Sequence, residues 1–202
     1  MRSSSEKGKP FFRGGYMTII TCTERKKTSK GDVARLRRDG RIPYVLYSKG
    51  RQPELGSFVK AEFDAILRSL QQGFLPSTVF SLKDGSKERK AIVREIQYHP
   101  STYEILHIDF LELNKDIPVE VKVPVEFVNS VDCIGAKLGG YLRHVKRHLQ
   151  VRCLPKDIPS HFDIDVKDLG IAQSKRVRDI AIPKNVTCLL QQDESVVTVA
   201  KR

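Results

Sequence analysis

The stretch Val119-Glu-Val-Lys-Val-Pro-Val-Glu-Phe127 places Val119, Val121, Val123, Val125 and Phe127 on one side and Glu120, Lys122, Pro124 and Glu126 on the other. Successive strand side chains point to opposite faces, so this strict period of two reads as a half-buried β-strand; helical apolar positions recur at three and four. Just upstream, Ile105-Leu-His-Ile-Asp-Phe-Leu111 alternates in the same way, with Leu106, Ile108 and Phe110 on one face and His107 and Asp109 on the other. Between the two runs, Asn114-Lys-Asp116 is polar and resets the pattern. Two β-rich units are therefore expected, over residues 17–114 and 115–202.

Downstream, further strands are expected at residues 149–154, 161–166, 186–190 and 196–200, separated by turns at Pro155, Pro159 and Pro183-Lys-Asn185. The glycines of Ile134-Gly-Ala-Lys-Leu-Gly-Gly140 predict a loop. Upstream, strands are read at Met17–Cys22, Ile42–Tyr47 and around Phe58-Val59, with a hairpin from Thr78 to Tyr98 turning at Lys83-Asp-Gly85. Phe63, Ile66, Leu67 and Leu70 recur at helical spacing between Lys60 and Gln72, and Asp32 is expected to cap a short helix that Gly40 ends. The class is mainly β with a few helices (α+β). Residues 1–16 are basic and rich in Ser and Gly, without the apolar core of a secretory signal, and read as a flexible extension, with Met17 a candidate start.

The chain has 202 residues and a net charge of +12, and its longest apolar runs are far too short for a membrane-spanning helix. Most of the excess is local: residues 1–60 hold 15 basic and 5 acidic side chains, residues 61–114 hold 6 and 8, and residues 115–202 hold 15 and 11. Such polarity favours an anion-binding face in the first unit. The four cysteines, Cys22, Cys133, Cys153 and Cys188, form neither a C-x-x-C pair nor a zinc-ligand pattern with His, so free thiols and a reducing compartment are expected, with no metal or other cofactor.

Two constellations carry the functional reading. Arg25, Lys26, Lys27, Lys30, Arg35, Arg37, Arg38 and Arg41 place eight cations within seventeen residues, suited to following a phosphate backbone. His107 and Asp109 share a polar strand face; catalysis there needs a nucleophile or further metal ligands, and no nucleophile elbow is visible. The alternatives are a solvated face or one that meets base edges and ribose hydroxyls. Tyr44 and Tyr47 lie on opposite faces of their strand, so either is a candidate for the core and either for a nucleotide contact. A sheet face with short polar groups suits the wide minor groove of A-form RNA, and no long basic recognition helix for DNA is present.

Taken together, Glu24-Arg-Lys-Lys27, Lys30-Gly-Asp-Val-Ala-Arg-Leu-Arg37, Ile42-Pro-Tyr-Val-Leu-Tyr47, Ile96-Gln-Tyr-His-Pro100 and Leu106-His-Ile-Asp-Phe110 closely resemble the bacterial large-subunit ribosomal protein family that binds 5S ribosomal RNA, in its long Ctc (general stress) form. Gly139-Gly-Tyr-Leu142, His148-Leu-Gln-Val-Arg-Cys-Leu-Pro155, Asp157-Ile-Pro159 and Asp193-Glu-Ser-Val-Val-Thr-Val199 resemble that family's extra C-terminal domain. The resemblance implies a β-barrel-like first domain seated on the loop E region of 5S rRNA, within the cytoplasmic bacterial ribosome. It places RNA contacts on Arg25, Lys30, Arg35, Tyr47, His107 and Asp109, with Arg94 and Gln97 as further candidates; Arg37 joins them from the basic cluster. It leaves neighbouring large-subunit proteins as partners for the second domain and implies no enzymatic activity.

Overall fold

Six strands, each pointing alternate side chains inward, close the first half of the chain into a barrel. The computed structural model describes residues 17–26, 29–85 and 87–201, so the expected extension over 1–16 and Lys27 of the basic stretch lie outside the described residues. The barrel strands are β1 (Met17–Glu24), β2 (Arg41–Tyr47), β3 (Glu54–Val59), β4 (Val79–Asp84), β5 (Lys87–Tyr98) and β6 (Ile105–Glu112). They run in the order β1-β3-β2-β6-β5-β4, closed by the parallel pairing of β4 with β1; β2 and β6 are also parallel. Two helices decorate it, α1 (Lys30–Arg38) and α2 (Lys60–Ser69).

The interior is aromatic. Ile20, Ile42, Phe58, Phe80, Ile108 and Phe110 point inward and are fully buried, and α2 contributes Phe63, whose ring lies 5.4 Å from Phe58 and 6.1 Å from Phe80. Burying each such side chain stabilises the fold by about 1.5–3 kcal/mol. Tyr44 belongs to this core: it stacks on Phe58 at 5.8 Å and meets Phe110 edge-on at 5.6 Å. Its ring crosses Gly56, the residue paired with it on β3; a Cβ there would sit 2.3 Å from the ring. Tyr47 is half-buried and faces outward, which separates the two tyrosines.

Several sequence expectations shift at this level. Helix α1 is capped by Ser29, not Asp32: Ser29 Oγ accepts from the Asp32 backbone amide while the Asp32 carboxylate accepts from that of Ser29, a capping box one turn long. On β6 a register shift opposite Gln97 and Tyr98 buries Ile105 and leaves Leu106 half-buried, so the apolar face does not begin where simple alternation puts it. Strand β3 extends back to Glu54, beyond the expected Phe58-Val59.

The second half is a two-sheet unit. One sheet has the order β10-β7-β9-β12 and the other β11-β13-β8, from β7 (Val119–Val128), β8 (Gly140–His144), β9 (His148–Cys153), β10 (Phe162–Asp165), β11 (Ser174–Arg176), β12 (Val186–Cys188) and β13 (Ser195–Lys201). Val119, Val121, Val123 and Val125 are buried, as the alternation requires, against Leu149, Val151, Phe162, Ile164, Val196, Val197 and Val199. The glycine segment is not a loop: Ile134–Lys137 forms the short helix α3 and Gly140 opens β8. Glycine is needed there for close approach, since a Cβ at Gly135 or Gly140 would lie 2.7 or 2.8 Å from Val199 Cγ1. The cysteines are free, and burial pushes the Cys22 and Cys153 thiols up to about 11, which leaves them poor nucleophiles.

The two halves share apolar contacts. Ile92, on the outer face of β5, is buried within the second core, and Val79, Leu111 and Leu113 pack against it. Because the Tyr44 ring occupies the space over Gly56, Gly56→Ala is expected to lower stability to urea by about 1–3 kcal/mol, the usual cost of overpacking. An unchanged urea midpoint would show that the ring is free to move aside.

Candidate nucleic-acid interface

Strand registers decide which polar side chains meet. His107 pairs with Gln97, and Asp109 with Glu95, across β6 and β5; on the other side of β6, Asp109 pairs with Val45 and Leu111 with Tyr47. All of these positions face outward, because their immediate neighbours Ile108, Phe110, Tyr44 and Leu46 are buried inside the barrel. One outer strip across β2, β6 and β5 therefore gathers Tyr47, His107, Asp109, Gln97 and Glu95. Arg94 sits at the register shift between Val93 and Glu95, where one extra residue on β5 bends the strand and brings a second side chain towards the same edge.

The strip has two borders. At one end, the outer face of β5 and β6 is covered by the second unit through Ile92 and Leu111. Between the units opens a cleft of ≈ 640 Å³, lined in part by Tyr47, Lys49, Arg94 and Glu95. At the other border, α1 packs against β2, where outward-facing Pro43 is buried. Helix α1 reaches β6 as well, since Arg37 Nε donates to the Leu106 carbonyl at 3.1 Å, directly beside His107.

The cations divide by their commitments. Arg25 Nε donates to the Gly56 carbonyl at 3.1 Å, and Arg41 ties β1 to β3 by donating to Thr23 Oγ1 at 2.8 Å and Ser57 Oγ at 3.2 Å. Arg41 thus acts as a strand tie. Arg25 and Arg37 keep their charge beside the strip: both act electrostatically on His107. Lys30 and Arg35 project from exposed positions on α1 and form no ion pair with another described residue, so they widen the positive border without touching the strip. Arg35, Arg37 and Arg38 occupy the last turn of α1, where the helix dipole favours cations; Lys30 stands at its unfavourable start, offset by the capping box.

His107 and Asp109 form a pair, with Nδ1 and Oδ1 2.8 Å apart and side chains 17% and 20% exposed. A carboxylate oxygen only accepts, so Nδ1 carries the proton and donates. Burial, the largest influence, holds the imidazole pKa below its ordinary value; Asp109 raises it, and the charges of Arg25 and Arg37 lower it again. The neutral ring therefore leaves Nε2 as an acceptor for a hydroxyl or amino group. Alongside it the strip offers the Gln97 amide, the Tyr47 hydroxyl and the carboxylates of Asp109 and Glu95, a mixture that suits ribose hydroxyls and base edges while the flanking guanidinium groups suit phosphates.

Glu95 and Val45 were missed by sequence reasoning. Neither is basic or aromatic, and only the registers of β5 and β2 place them against Asp109. The sign of the pH response follows from the depressed His107 pKa. The unfolded imidazole takes up its proton near 6.5 and the folded one only at lower pH, so acidification below about 6.5 favours unfolding. An imidazole NMR titration should give a His107 midpoint below 6.5, moved lower still by Asp109→Asn because the favourable carboxylate is lost. A midpoint that rises in that variant would contradict the pairing.

The sequence matches the Ribosomal L25p family over residues 20–110 and the C-terminal domain of ribosomal protein TL5 over residues 118–202. It is 41% identical to the large ribosomal subunit protein bL25 of Chlamydia muridarum over 183 residues, which is 91% of this chain and 99% of that protein. It is 42% identical to bL25 of Chlamydia trachomatis serovar L2 over 185 residues and 39% identical to that of Chlamydia pneumoniae over 183, with the same shares of each chain covered. With both halves matched in order and the relatives covered almost end to end, the chain belongs to the bacterial ribosomal protein bL25 (L25p) family.

Proposed function

We propose that this protein is a structural constituent of the large ribosomal subunit in the bacterial cytoplasm and that it binds 5S rRNA, at the loop E region, through the outer strip of its barrel. Family membership makes it a ribosomal component and not an enzyme, and answers the catalytic reading of His107 and Asp109. The observation that carries the RNA reading is the uncovered polar strip on β2, β6 and β5, bordered by the basic helix α1. Residues 17–114 would form the rRNA-binding domain, and residues 115–202 a second domain available to neighbouring large-subunit proteins.

In this reading Arg25, Lys30, Arg35 and Arg37 neutralise phosphates and supply salt-dependent affinity. Tyr47, Gln97, His107 and Asp109 meet sugar and base edges in a shallow groove, with Arg94 at the cleft end. No helix among the described residues is long and apolar enough to cross a membrane.

Filter binding to 5S rRNA tests this. Affinity should fall steeply between low and moderate salt, and Arg37→Ala should reduce the salt slope by about one. His107→Ala and Asp109→Asn should each weaken binding by roughly tenfold to hundredfold, while circular dichroism shows an intact fold. A flat salt profile, or variants that bind normally, would remove the strip from the RNA surface.

A further inference from the structure

Away from the RNA strip, β7 and β10 run parallel in the register Glu126↔Asp163, Ile164↔Phe127, so Glu126 and Asp163 stand side by side on the outer face of the sheet. His161, just before β10, turns its ring towards them. One donor atom each from Glu126, His161 and Asp163 lies within 4.8 Å of the other two. Two carboxylates directly opposite each other repel, and neither forms an ion pair with a Lys or Arg among the described residues.

Within this trio His161 and Asp163 stand at ion-pair distance without closing to a short hydrogen bond. His161 Nε2 and Asp163 Oδ1 are 3.4 Å apart, beyond the roughly 2.7–2.9 Å of a charge-assisted hydrogen bond. A tetrahedral cation bonded to nitrogen and oxygen at about 2.0–2.1 Å sets its ligand atoms about 3.3–3.4 Å from one another. The imidazole is also held from behind: Nδ1 lies 2.9 Å from Ser160 Oγ, and the ring packs on Phe74 with centroids 5.6 Å apart. A metal-bound histidine is typically fixed by such a partner on its other ring nitrogen. Glu126 is oriented in turn by Gln71, whose Nε2 donates to Oε1 at 2.6 Å, leaving the second carboxylate oxygen for a ligand.

We propose that Glu126, His161 and Asp163 form a binding site for a divalent transition cation of the zinc type. One imidazole nitrogen and two carboxylate oxygens match that ion's ligand preferences, and water completes its coordination. The two carboxylates match its charge, and the neutral imidazole donates through Nε2. Gln71 and Phe74 come from the segment between α2 and β4 in the barrel half, whereas the three ligands belong to the second half. The site therefore sits at the seam between the two, where Ser77 Oγ also donates to the Ser160 carbonyl at 3.0 Å.

Isothermal titration calorimetry with ZnCl2 on the metal-free full chain, in buffer containing millimolar Mg2+, tests the site. One saturable equivalent is expected. His161→Gln and Asp163→Asn should each abolish it or weaken it at least tenfold, and Ser160→Ala should weaken it by roughly tenfold to hundredfold. Thermal melts in EDTA establish that the variants fold; should His161→Gln fail to do so, Glu126→Gln takes its place. Failure of the intact protein to bind Zn2+ saturably overturns the proposal, as does binding that persists unchanged in the ligand variants through other histidines or thiols.

Discussion

Strand β6 can send only every second side chain into the barrel, and most of the site follows from that constraint. Ile108 and Phe110 take the inward positions and are fully buried against Phe58, Phe80 and Tyr44. His107, Asp109 and Leu111 must then face outward, and the pairings of β6 with β5 and β2 bring Gln97, Glu95, Val45 and Tyr47 onto the same face. A slip of one residue would bury the imidazole and carboxylate and expose two core residues. The aromatic interior thus fixes the register on which the polar strip depends.

What remains open on that face is decided by the neighbours. Helix α1 covers the Pro43 border and delivers Arg37 to the Leu106 carbonyl, and the second unit covers Ile92 and Leu111. The strip is the part that neither covers. Its pairing of His107 with Asp109 keeps the ring oriented, while burial, aided by the nearby Arg25 and Arg37, opposes its protonation, so the face presents a neutral acceptor between cationic borders.

The parts of the molecule with strong periodicity were legible in the sequence: the valines of β7, the outward His107 and Asp109 of β6, the apolar stripe of α2 and the hairpin of β4 and β5. The rest depended on information that is not local. Leu106 reads as a core residue by alternation, but the register shift opposite Gln97 and Tyr98 gives that place to Ile105. Tyr44 became a core residue only because Gly56 on a neighbouring strand leaves room for its ring. Short strands β8 and β11 carry little alternation, and the glycines before β8 read as a loop although they serve close packing against Val199. The basic cluster was visible as charge, but not that Arg41 is used as a strand tie. Glu126, His161 and Asp163 were likewise invisible as a group, because only the parallel pairing of β7 with β10 brings them together.

Chemical-shift mapping of the isotope-labelled full chain with a loop E fragment of 5S rRNA addresses the RNA surface most directly. If the open strip is that surface, the largest perturbations fall on Val45, Tyr47, Glu95, Gln97, His107, Asp109 and the last turn of α1, with β8 and β13 unmoved. Perturbations concentrated on β8 and β13, with the strip silent, would place RNA on the second unit and contradict the role assigned to the barrel.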